Sequence, residues 1–371
     1  MTDATLAVVA GTTETAAIDG ISAAGADPEL RNHTPSADLE IVADGRPAPG
    51  SAVPVSPAGC PTPAVVTRAV RELVGFDFVG VDAGLAVPTT LAGASVLDAD
   101  AAPGGDLRAP EPVPDAAAVF ERGRELVPAT VGREPGVSDG DGTGDDCGDA
   151  PDRELLVAET IPGGTTTALG VLTALGERPV VSSSLPANPL ATKRAVVDEG
   201  LRASGIAAGD AAGDPVEAIR LLGDPVLAAA AGLVVGAVER GVPVTLAGGT
   251  QLAAVAALAR HAGVERRLPL ATTSFVADDP TADVGALADD LGLTLAATDP
   301  EFDESDHPAM AAYARGEAKE GVGMGGALAL SERTGVPAGD VRNRVAAITD
   351  RLLAEQRGEP GGRPDAAGGP L

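Results

Sequence analysis

The chain of 371 residues is long enough to bury a large core, in one α/β domain or in one domain with a smaller lobe. Its formal charge of −28 and its lack of a basic stripe exclude nucleic acid as the expected partner. No uncharged apolar run of about 18 residues reads as a membrane span, and no basic segment precedes an apolar one as in a signal peptide.

Cys60 and Cys147 are the two cysteines. They lie far apart without a CxxC or CxxH partner, which argues against a disulfide framework or a zinc site and fits a reducing cytoplasm. Lys193 and Lys319 are the only lysines, so arginine supplies 24 of the 26 basic residues. A carboxylate-coated, lysine-poor surface suits concentrated salt, where screening removes self-repulsion. We read the acidity as adaptation to a salty cytoplasm.

Leu6–Ala10 is expected to be the first strand, leaving through Gly11-Thr12-Thr13-Glu14-Thr15. Residues 20–62, rich in Pro, Gly and Ala, read as an extended surface excursion, most rigid at PVSPAGCPTP. Ala64–Val74 reads as a helix, Phe76–Asp82 as a strand, Pro88–Pro114 as irregular and Ala116–Leu126 as a helix. Residues 136–149 are an acidic low-complexity loop. Asp139 and Asp141 begin it like a calcium loop, but Ala150 stands where the bidentate glutamate would be needed.

The stretch ELLVAETIPGGTTTALGVLTALG, residues 154–176, is the organising unit. Leu155–Ala158 is a buried-strand pattern, Pro162-Gly163-Gly164 a break, and Thr165–Leu175 a helix. Such a turn presents unpaired backbone N–H groups at the positive end of a helix, which suits an anion. Gly163, Gly164, Thr165, Thr166 and Thr167 are therefore candidates for a phosphate site, with simple helix capping as the plainer reading. No Gly-Lys-Ser/Thr follows, so it is not a P-loop.

Further on, Pro179–Ser184 reads as a strand and Leu190–Ala203 as a helix carrying Lys193. Asp214–Leu222 and Val226–Glu239 read as helices, and Val242–Leu246 as a strand entering Gly248-Gly249-Thr250-Gln251 and another helix. Leu268–Val276 and Leu293–Ala297 read as strands with a helix at Val284–Leu291 between them. An acidic loop spans 298–305, helices continue to Gln356, and residues 357–371 read as a disordered tail.

Alternating strands and helices imply a doubly wound, mainly parallel sheet with helices on both faces. Ligands of such sheets sit beyond the carboxyl ends of the strands. Segments 11–15, 82–84, 159–167, 182–184, 247–251 and 273–279 fall there and form a polar rim. Thr12, Thr13, Glu14, Ser183, Gly248, Gly249, Thr250 and Gln251 are its candidate contacts. Gly321–Gly326 fits G-x-G-x-x-G, but the residues before it look helical and no βαβ unit follows, so a dinucleotide site is not expected. Lys193, a compact point charge in a chain that otherwise uses arginine, points to a phosphate or carboxylate contact. His33, His261 and His307 show no metal spacing, and no metal or cofactor is expected.

GTTETAAIDGISAAGADPE, PVSPAGCPTPA, ETIPGGTTTALGVLTALG, SSSLPANPLATKRAVV, GDPVLAAAAGL, LAGGTQLAAVAAL and EGVGMGG together resemble an archaeal family. That family is related to the nicotinate-nucleotide–dimethylbenzimidazole phosphoribosyltransferases of cobalamin assembly. The resemblance to the archaeal branch covers nearly the whole chain, and that to the bacterial enzymes is confined to short blocks from about residue 158. It implies a doubly wound α/β fold with a smaller lobe, here residues 1–355 as a single domain whose N- and C-terminal helical parts form the lobe, and usually a homodimer. It also implies transfer of phosphoribose from nicotinate mononucleotide to an acceptor base, without a metal.

The bacterial G-E-x-G-x-G-N-T-T block falls on Ala158–Thr166, placing Glu159 on its glutamate, and the phosphate-side lysine falls on Lys193. Gly321-Val322-Gly323-Met324-Gly325 stands where bacterial members have G-E-G-T-G. Valine cannot take the azole proton, so either Glu320 or Glu159 substitutes as base, with Glu320 the favoured one, or the reaction here differs. Glu159 is expected to orient the ribose or stabilise the cation. The alternatives are a nucleotide- or cobamide-precursor-binding protein that kept the fold without the base, and an unrelated phosphate-ester enzyme.

Overall fold

A computed structural model describes residues 2–22, 28–49, 51–56, 59–132 and 153–357. The acidic loop at 136–149 lies outside these residues, as does the tail beyond Arg357. Among the described residues no helix is long and apolar enough to cross a membrane.

The chain opens with β1 (Ala4–Ala10), α1 (Pro28–Asp44), α2 (Ala64–Val74), β2 (Asp77–Asp82), β3 (Ser95–Asp98) and α3 (Ala116–Thr130). β4 (Glu154–Thr160) is followed by four helices: α4 (Gly164–Leu175), α5 (Leu190–Ser204), α6 (Pro215–Leu222) and α7 (Pro225–Glu239). Then come β5 (Val244–Ala247), α8 (Thr250–His261), β6 (Pro269–Thr273), α9 (Ser274–Ala277), α10 (Val284–Asp290) and β7 (Thr294–Thr298). α11 (Pro308–Ala314), α12 (Met324–Arg333) and α13 (Ala338–Gln356) close the described chain.

The seven strands form one parallel sheet in the order β3-β2-β1-β4-β5-β6-β7. Successive side chains of a strand point to opposite faces. Val9, Leu155 and Val157 therefore enter a core with α3, α4, α7 and α8, while Leu6, Val8 and Leu156 enter a second core with α1, α2, α12 and α13. Burial on both faces explains why these strands read as continuous apolar runs. The chain winds outward in opposite directions from β1 and β4, so the crevice at their carboxyl ends is the switch point of the topology.

Four sequence expectations are corrected. Residues 28–44, expected as irregular surface chain, form α1, with Pro35 inside it. Its buried residues mix Leu39, Ile41 and Val42 with Ser36, Asp38 and Glu40, which erases the apolar period that would have marked the helix. β3 lies within the stretch expected to be irregular, and its half-exposed edge position leaves little apolar signal. Pro179–Ser184 is not a strand: the Val181 and Ser182 carbonyls are taken by Asn188 and Lys193 instead of a neighbouring strand. The residues just before Gly321 are turns, not helix.

Candidate active site

β4 ends on Glu159 and Thr160 and turns at Ile161–Gly163 into α4. Gly163 has φ 83°, and a Cβ there would stand 3.0 Å from the Ala16 nitrogen, so glycine meets both a left-handed backbone and a close approach. A Cβ on Gly164 would fall 2.1 Å from Gln251 Nε2. This tight packing brings the start of α4 against the start of α8, where Gly249 and Thr250 follow β5. The Thr250 hydroxyl accepts a hydrogen bond from the Ser182 N–H (3.0 Å), tying the loop before α5 to the same place. The third wall comes from 318–322, just before α12, and Val322 N–H donates to the Glu159 carbonyl (2.9 Å). Together these segments and the 54–63 loop enclose a cavity, with the starts of α4 and α8 on its lining.

Three buried or half-buried carboxylates line this cavity: Asp38, Glu159 and Glu320. Burial pushes the Glu159 carboxyl up to about 8. The charges of Asp224, Glu320 and Asp38 add to this, against one hydrogen bond from Gln251 Nε2 (3.0 Å). Burial lifts Glu320 to about 7, opposed by the N–H groups of Gly325 (2.9 Å) and Gly321 (3.2 Å) and by the Thr272 hydroxyl (3.4 Å). Asp38 is likewise raised to about 7 by burial, against the hydroxyls of Thr160 and Thr62. Asp224, raised to about 6 by burial, stands off the cavity, where it caps α7 and accepts from Thr167. Such a cluster ionises near neutrality, the range in which a carboxylate can trade a proton with a substrate.

The cavity gathers Glu159, Glu320, Gly163, Gly164, Thr165, Ser183, Gly249, Thr250 and Gln251 from the sequence candidates. The other candidates lie off its lining. Thr12 and Thr13 donate to the carbonyls of Gly84 and Gly105 (both 2.8 Å), Glu14 is exposed, and Gly248 faces Leu252. Thr166 and Thr167 are buried within α4, the latter bonded to Asp224 and the Gly164 carbonyl. Lys193 is fully buried behind the wall and donates to the Ser182 carbonyl (2.7 Å). Burial, then the neighbouring Lys319 charge, pull its ammonium down to about 7, against the attraction of Asp279.

Val322, where the bacterial pattern has its glutamate, is buried with φ 54° and carries no proton-accepting group. Asp38 and Lys319 were not singled out in the sequence, and Ser182 and Asp279 fell within the expected rim segments without a role of their own. The scarcity of lysine that singled out Lys193 applied equally to Lys319.

Residues 145–274 match the family model described as Phosphoribosyltransferase. The chain is 55% identical to the UPF0284 protein of Halobacterium salinarum, over 94% of this chain and 98% of that one. It is 39% identical to the UPF0284 protein of Methanothermobacter thermautotrophicus, over 92% of this chain and 91% of the relative. The chain belongs to the UPF0284 family. The matched segment places this UPF0284 protein among the phosphoribosyltransferases, enzymes that transfer a pentosyl group.

Its fold is also that of two solved structures from Thermus thermophilus. One is CobT, with a TM-score of 0.59 at 19% identity, covering 96% of this chain and 86% of that chain. The other is a nicotinate-nucleotide–dimethylbenzimidazole phosphoribosyltransferase, with a TM-score of 0.57 at 18% identity and the same coverage. The resemblance drawn from the motifs and the expected doubly wound α/β fold are both borne out.

Proposed function

We propose that this UPF0284 protein transfers phosphoribose from nicotinate mononucleotide to a lower-ligand base, such as dimethylbenzimidazole, in cobalamin assembly. The reading rests on one observation: Glu320, on the cavity wall beside Glu159, has its carboxyl raised to about 7. In the reaction the bond from ribose C1′ to the pyridinium nitrogen breaks, and nicotinate leaves with the electron pair. The unprotonated nitrogen of the acceptor azole forms the new bond to C1′, and the proton on its other ring nitrogen passes to the ionised Glu320.

The sugar is cation-like between these events, so nearby negative charge lowers the barrier. Glu159, held by Gln251, supplies that charge or its hydrogen-bonding equivalent on the ribose side. Phosphate binds at the start of α4, where Gly163, Gly164 and Thr165 line the cavity at the positive end of the helix, the Gly164 N–H itself donating to the Ile161 carbonyl (3.1 Å). Residues 1–355 act as one catalytic domain in this scheme, because segments near 38, 159, 183, 250 and 320 all contribute walls. A homodimer in a saline cytoplasm goes with it.

The test is nicotinate release from nicotinate mononucleotide in molar KCl, with and without candidate bases. Release that depends on an added base is the expected outcome. A folded preparation that releases none with any base would overturn the proposal.

A further inference from the structure

Both lysines of this arginine-rich chain are buried in one small polar cluster. Lys319 Nζ donates to Asp279 Oδ2 (2.6 Å), and the Ser182 hydroxyl donates to that same oxygen (3.2 Å). Asp279 Oδ1 accepts from the Thr281 N–H (2.9 Å) and hydroxyl (2.6 Å), which fixes the carboxylate. The backbone around Lys319 is pinned as well. Its carbonyl accepts from the Thr273 hydroxyl (2.6 Å), and Ala318, in the left-handed region at φ 45°, donates its N–H to the Ser184 carbonyl (2.9 Å).

The Lys319 side chain is 9% exposed, and the residue lines the cavity. Lys193, its companion, points its Nζ at the Ser182 carbonyl and does not reach that lining. No other lysine or arginine lines the cavity among the described residues, whereas three carboxylates do. An ammonium carries three donors. Asp279 takes one from Lys319, and no other protein atom among the described residues accepts from it. Ser183, Gly249 just before α8 and Thr250, its first residue, lie on the same cavity lining. A point charge with spare donors, hydroxyls and a helix N-terminus make an oxyanion subsite.

We propose that Lys319, held by Asp279, is the cation that binds an oxyanion of the substrate, and that Lys193 acts only by positioning the Ser182 carbonyl and its loop. This rests on the nucleotide reading above. Nicotinate mononucleotide carries two oxyanions, its phosphate and its pyridine carboxylate, and either has the chemistry this subsite selects.

The test is calorimetric titration of the full chain in molar KCl with inorganic phosphate, nicotinate and nicotinate mononucleotide as separate probes. Replacing Lys319 alone would leave Asp279 buried and unpaired. The informative variant is therefore Lys319→Met with Asp279→Asn, which removes both charges. Mononucleotide affinity should fall about 10- to 100-fold, as for loss of a charge-assisted hydrogen bond. A parallel fall for phosphate assigns the phosphate to Lys319, and a parallel fall for nicotinate assigns the carboxylate. Unchanged affinity for all three in a folded variant overturns the proposal, as does wild type that binds none of them at ~10 mM, an order-of-magnitude ceiling for such contacts.

A measurement on wild type covers the case in which the double variant does not fold. With two lysines in the chain, acetylation followed by peptide mapping reads Lys319 separately from Lys193. Ligand should protect Lys319, and equal labelling with and without ligand refutes the contact. Lys319-dependent binding without nicotinate release would defeat the transfer reading while leaving the subsite standing.

Discussion

The two glutamates of the cavity reach the same place by different routes. Glu159 ends a strand in the middle of the sheet and is held by a side chain, Gln251. Glu320 follows no strand: a turn delivers it, and backbone N–H groups at the start of α12 hold it. Backbone donors at a helix N-terminus favour the ionised form of a carboxylate. Glu320 thus comes to about 7, whereas Glu159, crowded by three other acids, stands at about 8. Both are raised into the neutral range, and Glu320, whose ionised form the main chain supports directly, has the surroundings of a base.

Removing each carboxylate in turn separates their roles. Glu320→Gln should lower the single-turnover rate of nicotinate release ~10²–10⁴-fold with nucleotide affinity nearly unchanged. Glu159→Gln, which keeps a hydrogen-bonding group on the ribose side, should cost less. A deeper loss in Glu159→Gln than in Glu320→Gln would exchange the two roles. The single-turnover rate of wild type should also rise with pH through about 7 as Glu320 ionises. That limb should vanish in Glu320→Gln, and a rate flat from about pH 6 to 8 would contradict the assignment.

Stability should show the same asymmetry with a predictable sign. Both carboxyls are raised above their unfolded value of 4.5, so the folded state holds protons that the unfolded state has released. Their contribution is fully present below about pH 4 and is lost as pH climbs through about 7 and 8. Each unit of upward shift corresponds to about 1.4 kcal/mol. Melting temperature should therefore fall between about pH 5 and pH 8.5. Glu159→Gln, which removes the larger shift, should flatten the slope more than Glu320→Gln, and calorimetric scans across that range decide it.

Glycine substitutions probe the two helix starts. A Cβ on Gly325 would lie 2.4 Å from Thr272 Cα, a backbone atom that cannot swing away. Gly325→Ala should lower stability by about 1–3 kcal/mol, the usual range for overpacking. At Gly164 the nearest obstacle is the end of Gln251, so Gly164→Ala should instead displace that side chain from Glu159. A smaller stability loss with weakened nucleotide binding is the expected pattern, and the reverse ranking in denaturant titrations would refute it.

The smallest expected effect concerns the surface. Arginines pair there with exposed glutamates, as Arg124 does with Glu121 and Glu239, and such pairs contribute little individually. The net charge of −28 matters more. Raising KCl shrinks the Debye length from ~30 Å at 0.01 M to ~3 Å at 1 M, so melting temperature should rise with salt. A flat dependence would remove the halophilic reading of the composition.

Much of the fold was legible because parallel strands buried on both faces leave unbroken apolar runs, as in Leu155–Ala158 before Pro162-Gly163-Gly164. The glycines of α4 were legible for the same reason, at a punctuated end of an element, whereas Glu159 and Glu320 were legible only through the resemblance to the bacterial glutamate blocks. Asp38 was not, because it stands in a helix whose buried face is half polar. Lys319 was not, because its partner Asp279 and the loop at Ser182 meet it only in three dimensions. The Ser182 segment was misread as a strand since an apolar-polar run looks the same whether its carbonyls meet a neighbouring strand or buried side chains.

Val322 ties late chain to early chain. It donates to the Glu159 carbonyl, and its own carbonyl accepts from Thr67, 255 positions earlier (2.9 Å). Contacts of such long range make folding slow, since distant segments must be ordered before they reward one another. A nascent chain halted before residue 319 would have the strand end and the first glycine turn but neither Glu320 nor Lys319. On the proposed reading, a stalled or clipped fragment would lack both the base and the cation that meet the nucleotide.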